Sequence, residues 1–140
     1  LEYSRKFIGG STIENLDFEE LVRRYKPRKG DLWYLDPPYF IATEKAEQKR
    51  DYYMNTFDGN DHLRMKEAVD KIHEGGAKFM VSYDYREEVY ELYKDYNIKT
   101  INIKYAGATD ENRSKSRKEY VITNYEPNTQ YNIFQKKEEI

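Results

Sequence analysis

The sequence predicts an α/β fold in which helices and strands alternate along one domain. An unbroken apolar run from Leu32 to Leu35 is typical of a strand that is buried on both faces, as in a parallel sheet. Two longer segments, near residues 18–25 and 61–74, repeat apolar residues at helical spacing. The predicted order is helix, strand, helix, strand, helix, strand, strand.

The first helix has its own start and stop signals. Asp17 is a good N-cap, and Glu20 follows at the spacing of a capping box. Pro27 ends the helix, because proline cannot continue one. The apolar residues form one stripe at i, i+3, i+4 and i+7: Phe18, Leu21, Val22 and Tyr25.

The apolar run stops at Asp36, which two prolines follow. Pro37 and Pro38 cannot donate to a strand ladder, so they end the strand and begin a stiff turn. Asp36 is therefore expected at the carboxyl end of a central strand, the place where open α/β sheets bind ligands. Trp33 and Tyr34 are expected in the core.

The second helix begins at a turn formed by residues 58–61 and ends at Gly75. Its apolar face comprises Met65, Ala68, Val69 and Ile72. His62, in the first turn, is interpreted as a surface or capping residue without chemistry. The remaining predictions are a strand at 77–82, a loop at 83–85, a helix at 86–96, and strands at 98–104 and 118–124.

Composition narrows the function classes. The chain has 140 residues, enough for one domain with a core, and no apolar run long enough to span a bilayer. It contains no cysteine and two histidines, which argues against thiolate chemistry and a histidine-rich metal site. The net charge of −2 is not that of a simple nucleic-acid-coating protein, so positive charge on a DNA surface must be local. These features fit a cytoplasmic protein.

Asp36-Pro37-Pro38-Tyr39 resembles motif IV of the DNA N6-adenine methyltransferases that use S-adenosylmethionine (SAM), in particular the Dam-like (D12) class. Further similar segments occur in the order of that family, at residues 15–18 upstream of the motif and at residues 57–63, 81–83 and 117–125 downstream of it, so the resemblance covers roughly residues 11–126. It implies the second half of a Rossmann-like methyltransferase sheet, mostly parallel with an antiparallel last strand and helices on the faces. Residues 1–126 would form the carboxyl-terminal portion of the catalytic domain, and 127–140 a polar tail.

The same resemblance implies roles for particular residues. The catalytic group would be Asp36, Pro37, Pro38 and Tyr39, acting on an adenine of double-stranded DNA. Asp17 and Phe18, together with Asp36, would lie near SAM, the co-substrate, and no metal is implied. For Asp17, a capping role alone is an equally good interpretation.

Two basic groups are candidates for contacts to DNA. Lys45, Lys49 and Arg50 lie in the segment after the Asp-Pro-Pro-Tyr motif, which the resemblance places against DNA. Arg113, Lys115 and Arg117 form a basic cluster in an acidic chain, and such a cluster could contact phosphates. The first group could equally belong to a solvated loop, and for each residue of the second group singly a solvated hairpin tip is the better interpretation.

The glycine-rich SAM loop of the family is not visible in this sequence. Phe7-Ile8-Gly9-Gly10 resembles it locally, but it lies too close to Asp36 and leads into residues 11–15, after which the helix has its own start signal. An amino-terminal half is therefore expected as a partner, and the bare edge of strand 32–35 is expected to cause self-association. The alternatives are an inactive remnant that binds DNA or a partner, a methyltransferase acting on RNA or another base amine, and a plain α/β domain.

Overall fold

The computed structural model describes residues 9–38, 57–103 and 117–127. This part of the chain follows the predicted order of helices and strands. The elements are α1 (Phe18–Tyr25), β1 (Leu32–Leu35), α2 (Gly59–Glu74), β2 (Lys78–Asp84), α3 (Glu87–Tyr93), β3 (Asn97–Ile103) and β4 (Arg117–Thr123). The predicted tail lies outside the described residues from position 128 onward.

The four strands form one sheet in the order β1-β2-β4-β3. β1 runs parallel to β2, while β4 runs antiparallel to both β2 and β3. β1, β2 and β3 therefore share one direction, and the last strand alone is reversed. This confirms the predicted fold class, a mostly parallel sheet with an antiparallel last strand.

The ends of the helices follow from local hydrogen bonds. The Asp17 carboxylate accepts from the Glu19 backbone N–H at 2.9 Å, which confirms Asp17 as the N-cap of α1. The predicted capping box is wrong here, because the Glu20 carboxylate binds the Arg23 guanidinium instead. A reciprocal capping box does occur at the start of α2, between Asp58 and Asp61.

The core lies on one face of the sheet. Alternate residues of β2 and β4 point to it and are fully or largely buried, because side chains alternate along a strand: Phe79, Val81, Tyr83, Tyr120 and Ile122. All three described helices contribute to the same cluster through Val22 of α1, Val69 of α2 and Val89 of α3, among others. The described helices therefore pack against this face.

β1 differs from the prediction in its burial. Trp33 and Leu35 pack against the core, but Leu32 is 65% exposed and Tyr34 is 62% exposed. The expectation of a strand buried on both faces, with Tyr34 in the core, is wrong for the described residues. An apolar side chain indicates that its surface is suited to burial, but burial requires another strand or helix to cover that surface. β1 is an edge strand of this sheet.

No helix in the described ranges is both long enough and apolar enough to cross a membrane.

Candidate active site

The proposed catalytic turn leaves the sheet at the carboxyl end of β1. Leu35 pairs with Val81, and β2 continues beyond this point to Asp84. Asp36 is exposed, Pro37 is buried and Pro38 is exposed. The carboxylate is thus presented at the end of the strand while the imino ring beside it is packed into the fold. Tyr39 lies outside the described residues.

The neighbouring end of β2 carries two buried polar residues. Tyr83 and Asp84 were predicted in a loop, but both belong to the strand and both are buried. Asp84 forms an ion pair with Arg86, with 2.7 Å between Oδ2 and Nε. Glu119 of β4 lies opposite Asp84 in the ladder and is also buried. Polar groups therefore continue from Asp36 across the carboxyl end of the sheet.

His62 is buried, with 2% of its surface exposed, so its interpretation as a surface or capping residue is wrong. Its Nδ1 is hydrogen-bonded to the Tyr83 hydroxyl, and Phe57 contacts its ring edge-on at a centroid distance of 4.7 Å. The sequence did contain a signal, since His62 lies three residues before Met65 and seven before Val69, on the same helical stripe.

The environment of this pair shifts two pKa values. Burial lowers the pKa of His62, and the carboxylates of Asp84, Asp61 and Asp58 oppose that shift only in part. Burial also raises the pKa of Tyr83, with a further contribution from Asp84. A neutral imidazole therefore meets a neutral phenol, and the start of α2 is held to the carboxyl end of β2.

Asp17 and Phe18 lie at the start of α1, against the first turns of α2. The Asp17 carboxylate accepts a hydrogen bond from Arg64 at 3.0 Å in addition to the capping bond. The Phe18 ring packs against Phe57 at a centroid distance of 6.0 Å, and the Arg64 guanidinium carbon lies 4.9 Å from the Phe18 centroid. Arg64 was not singled out from the sequence, because its partners Asp17 and Glu19 are 47 and 45 residues away.

The structure does not bring all the predicted residues into one described site. Arg117 is exposed at the start of β4, opposite Ile103. The other basic candidates lie outside the described residues: Lys45, Lys49, Arg50, Arg113 and Lys115. Two open depressions flank α1, one of them lined by Tyr25 and Trp33, and Asp36 lines neither. Within ranges 9–38, 57–103 and 117–127 there is no group of three acidic or histidine side chains placed to hold a metal.

Comparison with known proteins decides the family. The model of the D12 class N6 adenine-specific DNA methyltransferases matches residues 1–107, most of the chain. The chain belongs to this family. The match includes the turn at Asp36 and the α1 start at Asp17, where the catalytic and co-substrate residues were predicted.

Two curated proteins to which the chain is similar are, by name, a type II methyltransferase and a modification methylase. The type II methyltransferase M1.LlaDCHI of Lactococcus lactis subsp. cremoris is 29% identical over 128 residues, which is 89% of this chain and 44% of that protein. The modification methylase StsI of Streptococcus sanguinis is 27% identical over 126 residues, or 84% of this chain and 18% of that protein. This D12 class chain therefore spans less than half the length of either relative.

Proposed function

We propose that the chain supplies the catalytic turn of a SAM-dependent DNA adenine-N6 methyltransferase, with Asp36 as the central residue. The observation that carries this proposal is the position of Asp36: exposed, at the carboxyl end of a parallel strand, and followed by a proline that is packed into the fold. A carboxylate buried in the core could not receive a nucleobase. An exposed one on a stiff turn can.

The chemistry explains why a carboxylate and a fixed carbonyl are needed. The exocyclic amine of adenine is a weak nucleophile, because its lone pair is delocalised into the ring. In the proposed site, the Asp36 carboxylate accepts one N–H and the Pro37 backbone carbonyl accepts the other, which directs the lone pair toward the methyl donor. The new nitrogen–methyl bond forms as the methyl–sulfur bond breaks and leaves its electron pair on sulfur, and the amine releases one proton to solvent. Tyr39 would offer its ring to the base.

The base must leave the duplex, because its amine is otherwise paired. The proposed partner is therefore double-stranded DNA with a flipped adenine. Arg117 and the basic residues near it, together with Lys45, Lys49 and Arg50, would contact the phosphates. These contacts would fix the register of the DNA without reading its sequence.

The residues at the start of α1 are suited to the adenosine part of SAM, the co-substrate that supplies the methyl group. The Asp17 carboxylate makes a capping bond and bonds to Arg64, yet its side chain remains 49% exposed and retains acceptor capacity for an amine donor. Phe18 presents an apolar ring beside it. The chemistry of this pair therefore fits the adenine end of the co-substrate.

We further propose that an amino-terminal half supplies the rest of the SAM site, and that residues 1–126 belong to the catalytic domain with 127–140 as a tail. The lack of cysteine fits the cytoplasm as the location. A SAM titration of these 140 residues alone should show weak binding or none. Micromolar affinity would contradict this division and would return attention to Phe7-Ile8-Gly9-Gly10.

The deciding experiment is Asp36→Ala in the assembled enzyme, made by combining this chain with the amino-terminal half of a D12 class methyltransferase. Transfer of a labelled methyl group to adenine in duplex DNA should fall by at least about 100-fold, as when a positioned charge-stabilising group is removed from other active sites. Asp31→Ala, at the opposite end of the same strand, is the matched control and should retain activity. Full activity in Asp36→Ala would refute the mechanism.

The same assay separates an enzyme from an inactive remnant. If the assembled wild-type protein binds DNA but transfers no methyl group, the chain is a binding remnant. Transfer to RNA in preference to DNA would instead indicate a different substrate class.

A further inference from the structure

Arg64 stands at the junction between α1 and α2, and it binds three carboxylates at once. Its Nε bonds to Glu19 at 2.8 Å, its Nη1 to Asp61 at 2.7 Å, and its Nη2 to Asp17 at 3.0 Å. The planar fork of arginine suits such a convergence, because its five donors point in fixed directions.

The charges around Arg64 show what it does to α1. Asp17 is the N-cap of α1 and Glu19 lies in its first turn, while Asp61 lies in the first turn of α2. Without a cation between them, the three carboxylates would repel one another and the two helix starts would separate. The bonds to these acids raise the pKa of Arg64, so the guanidinium is always charged. Arg64 thus fixes α1 to α2 by charge and by geometry.

Phe18 is held by the same guanidinium. The Arg64 guanidinium carbon lies 4.9 Å from the Phe18 ring centroid, and Phe57 packs on that ring at 6.0 Å. Arg64 therefore contacts both residues that were assigned to the co-substrate, Asp17 through a hydrogen bond and Phe18 through its ring. Arg64 thus holds the Asp17 carboxylate and the Phe18 ring in a fixed position relative to each other.

The junction is also anchored to the sheet. His62, two residues before Arg64, is hydrogen-bonded to Tyr83 at the carboxyl end of β2. The capping box of Asp58 and Asp61 fixes the start of α2, the helix that carries both His62 and Arg64. The carboxyl end of β2 lies beside the strand that presents Asp36. A continuous series of contacts thus connects the catalytic end of the sheet to Asp17.

We propose that Arg64 is a positioning residue for the co-substrate end of the active site. It holds Asp17 and Phe18 in the orientation that SAM requires, and it does so without touching SAM itself. This inference rests on the proposed function, in which Asp17 and Phe18 contact SAM. It assigns to Arg64 a role in co-substrate affinity and none in the methyl-transfer step.

The test compares Arg64→Met and Arg64→Lys in the assembled enzyme, well below the melting temperature of each variant. Methionine keeps an apolar stem over Phe18 but removes the charge and all donors, so the KM and Kd for SAM should rise about tenfold, equivalent to about 1.4 kcal/mol. At saturating SAM, kcat should stay within about twofold, since the transfer step is unaltered. Arg64→Lys keeps one charge without the fork and should give an intermediate KM.

Arg23→Met is the matched control. Arg23 is an exposed arginine of α1 that pairs with Glu20 within its own helix, so its loss should leave the KM for SAM unchanged. If Arg64→Met melts at a lower temperature but binds SAM as the wild type does, Arg64 only joins two helices and the inference is wrong. A fall in kcat with unchanged KM would also overturn it.

The outcome for Arg64 can be separated from the outcome for the proposed function. If the wild type methylates adenine and Asp36→Ala does not, the function stands, whatever Arg64→Met shows. If the wild type transfers no methyl group, the function fails and the inference about Arg64 fails with it.

Discussion

Two buried tyrosines offer a direct measure of what the His62–Tyr83 hydrogen bond contributes to stability. Tyr83 and Tyr93 are both 0% exposed, and their rings lie 5.9 Å apart between centroids. The Tyr83 hydroxyl is bonded to His62, whereas the Tyr93 hydroxyl has no hydrogen-bond partner among the described residues. Replacing each with phenylalanine removes one oxygen from nearly the same environment and leaves the ring in place.

The two substitutions should have different effects. Tyr83→Phe breaks a bond inside the core, where an unmade hydrogen bond costs about 1–3 kcal/mol. For a chain of this size, about 3–5 °C is lost for each kcal/mol, so the melting temperature should fall by about 3–15 °C. Tyr93→Phe removes a buried hydroxyl that makes no such bond. It should leave stability unchanged or raise it by up to about 1 kcal/mol.

Thermal unfolding followed by far-UV circular dichroism gives both values, and urea titration checks that the slope of the transition is unchanged. The difference between the variants is the informative quantity, because the loss of the ring-edge oxygen is common to both. If Tyr93→Phe destabilises the chain as much as Tyr83→Phe, the His62 bond contributes nothing specific and the reasoning is refuted.

Three further perturbations test other features. Burial lowers the pKa of His62, so the unfolded chain binds the proton more readily than the folded chain. The contribution of neutral His62 to stability should be full above about pH 6.5 and be lost as the pH falls through the lower pKa of the folded state. His62→Gln should therefore flatten the loss of melting temperature between about pH 7.5 and about pH 5.5. Parallel curves for the two proteins would contradict this. A Cβ on Gly75 would lie 2.2 Å from the Pro27 carbonyl oxygen, so Gly75→Ala should lower the free energy of unfolding in urea by about 1–3 kcal/mol. Gly59→Ala, whose Cβ would have nothing within 4 Å, is the control and should be neutral. Equal losses in the two variants would disprove the clash. Light scattering should show that the isolated chain self-associates at high concentration. Tyr34→Lys, on the exposed edge strand β1, should reduce this self-association. A monomeric wild-type chain would count against an adhesive edge.

Local signals predicted the positions of the helices and strands well. Asp17 and Pro27 mark the two ends of α1 because capping and the missing proline N–H act within a few residues. Gly75 likewise marks the end of α2, whereas residues 59–61, expected in the turn before the helix, already belong to it. The exposed carboxylate at the end of β1 was also predictable, since two prolines in succession cannot continue a ladder.

Features that depend on distant partners were not predictable in this way. His62 is buried because Phe57 and Tyr83 cover it, and a polar residue in a first turn gives little indication of such a cover. Tyr34 was expected in the core, yet it is exposed. An apolar run indicates that a strand can be buried, but it does not show whether another part of the chain covers it. Arg64 was missed because its carboxylate partners on α1 are more than forty residues away along the chain.

The position of β4 has a consequence for how the chain is made. It is the last described strand in sequence, yet it lies between β2 and β3 and contributes Tyr120 and Ile122 to the core. During synthesis, β2 and β3 must therefore wait with a gap between them until residues 117–123 have left the ribosome. Premature termination before that segment would release a chain in which the β4-facing edges of β2 and β3 are both unpaired, and unpaired edges promote aggregation.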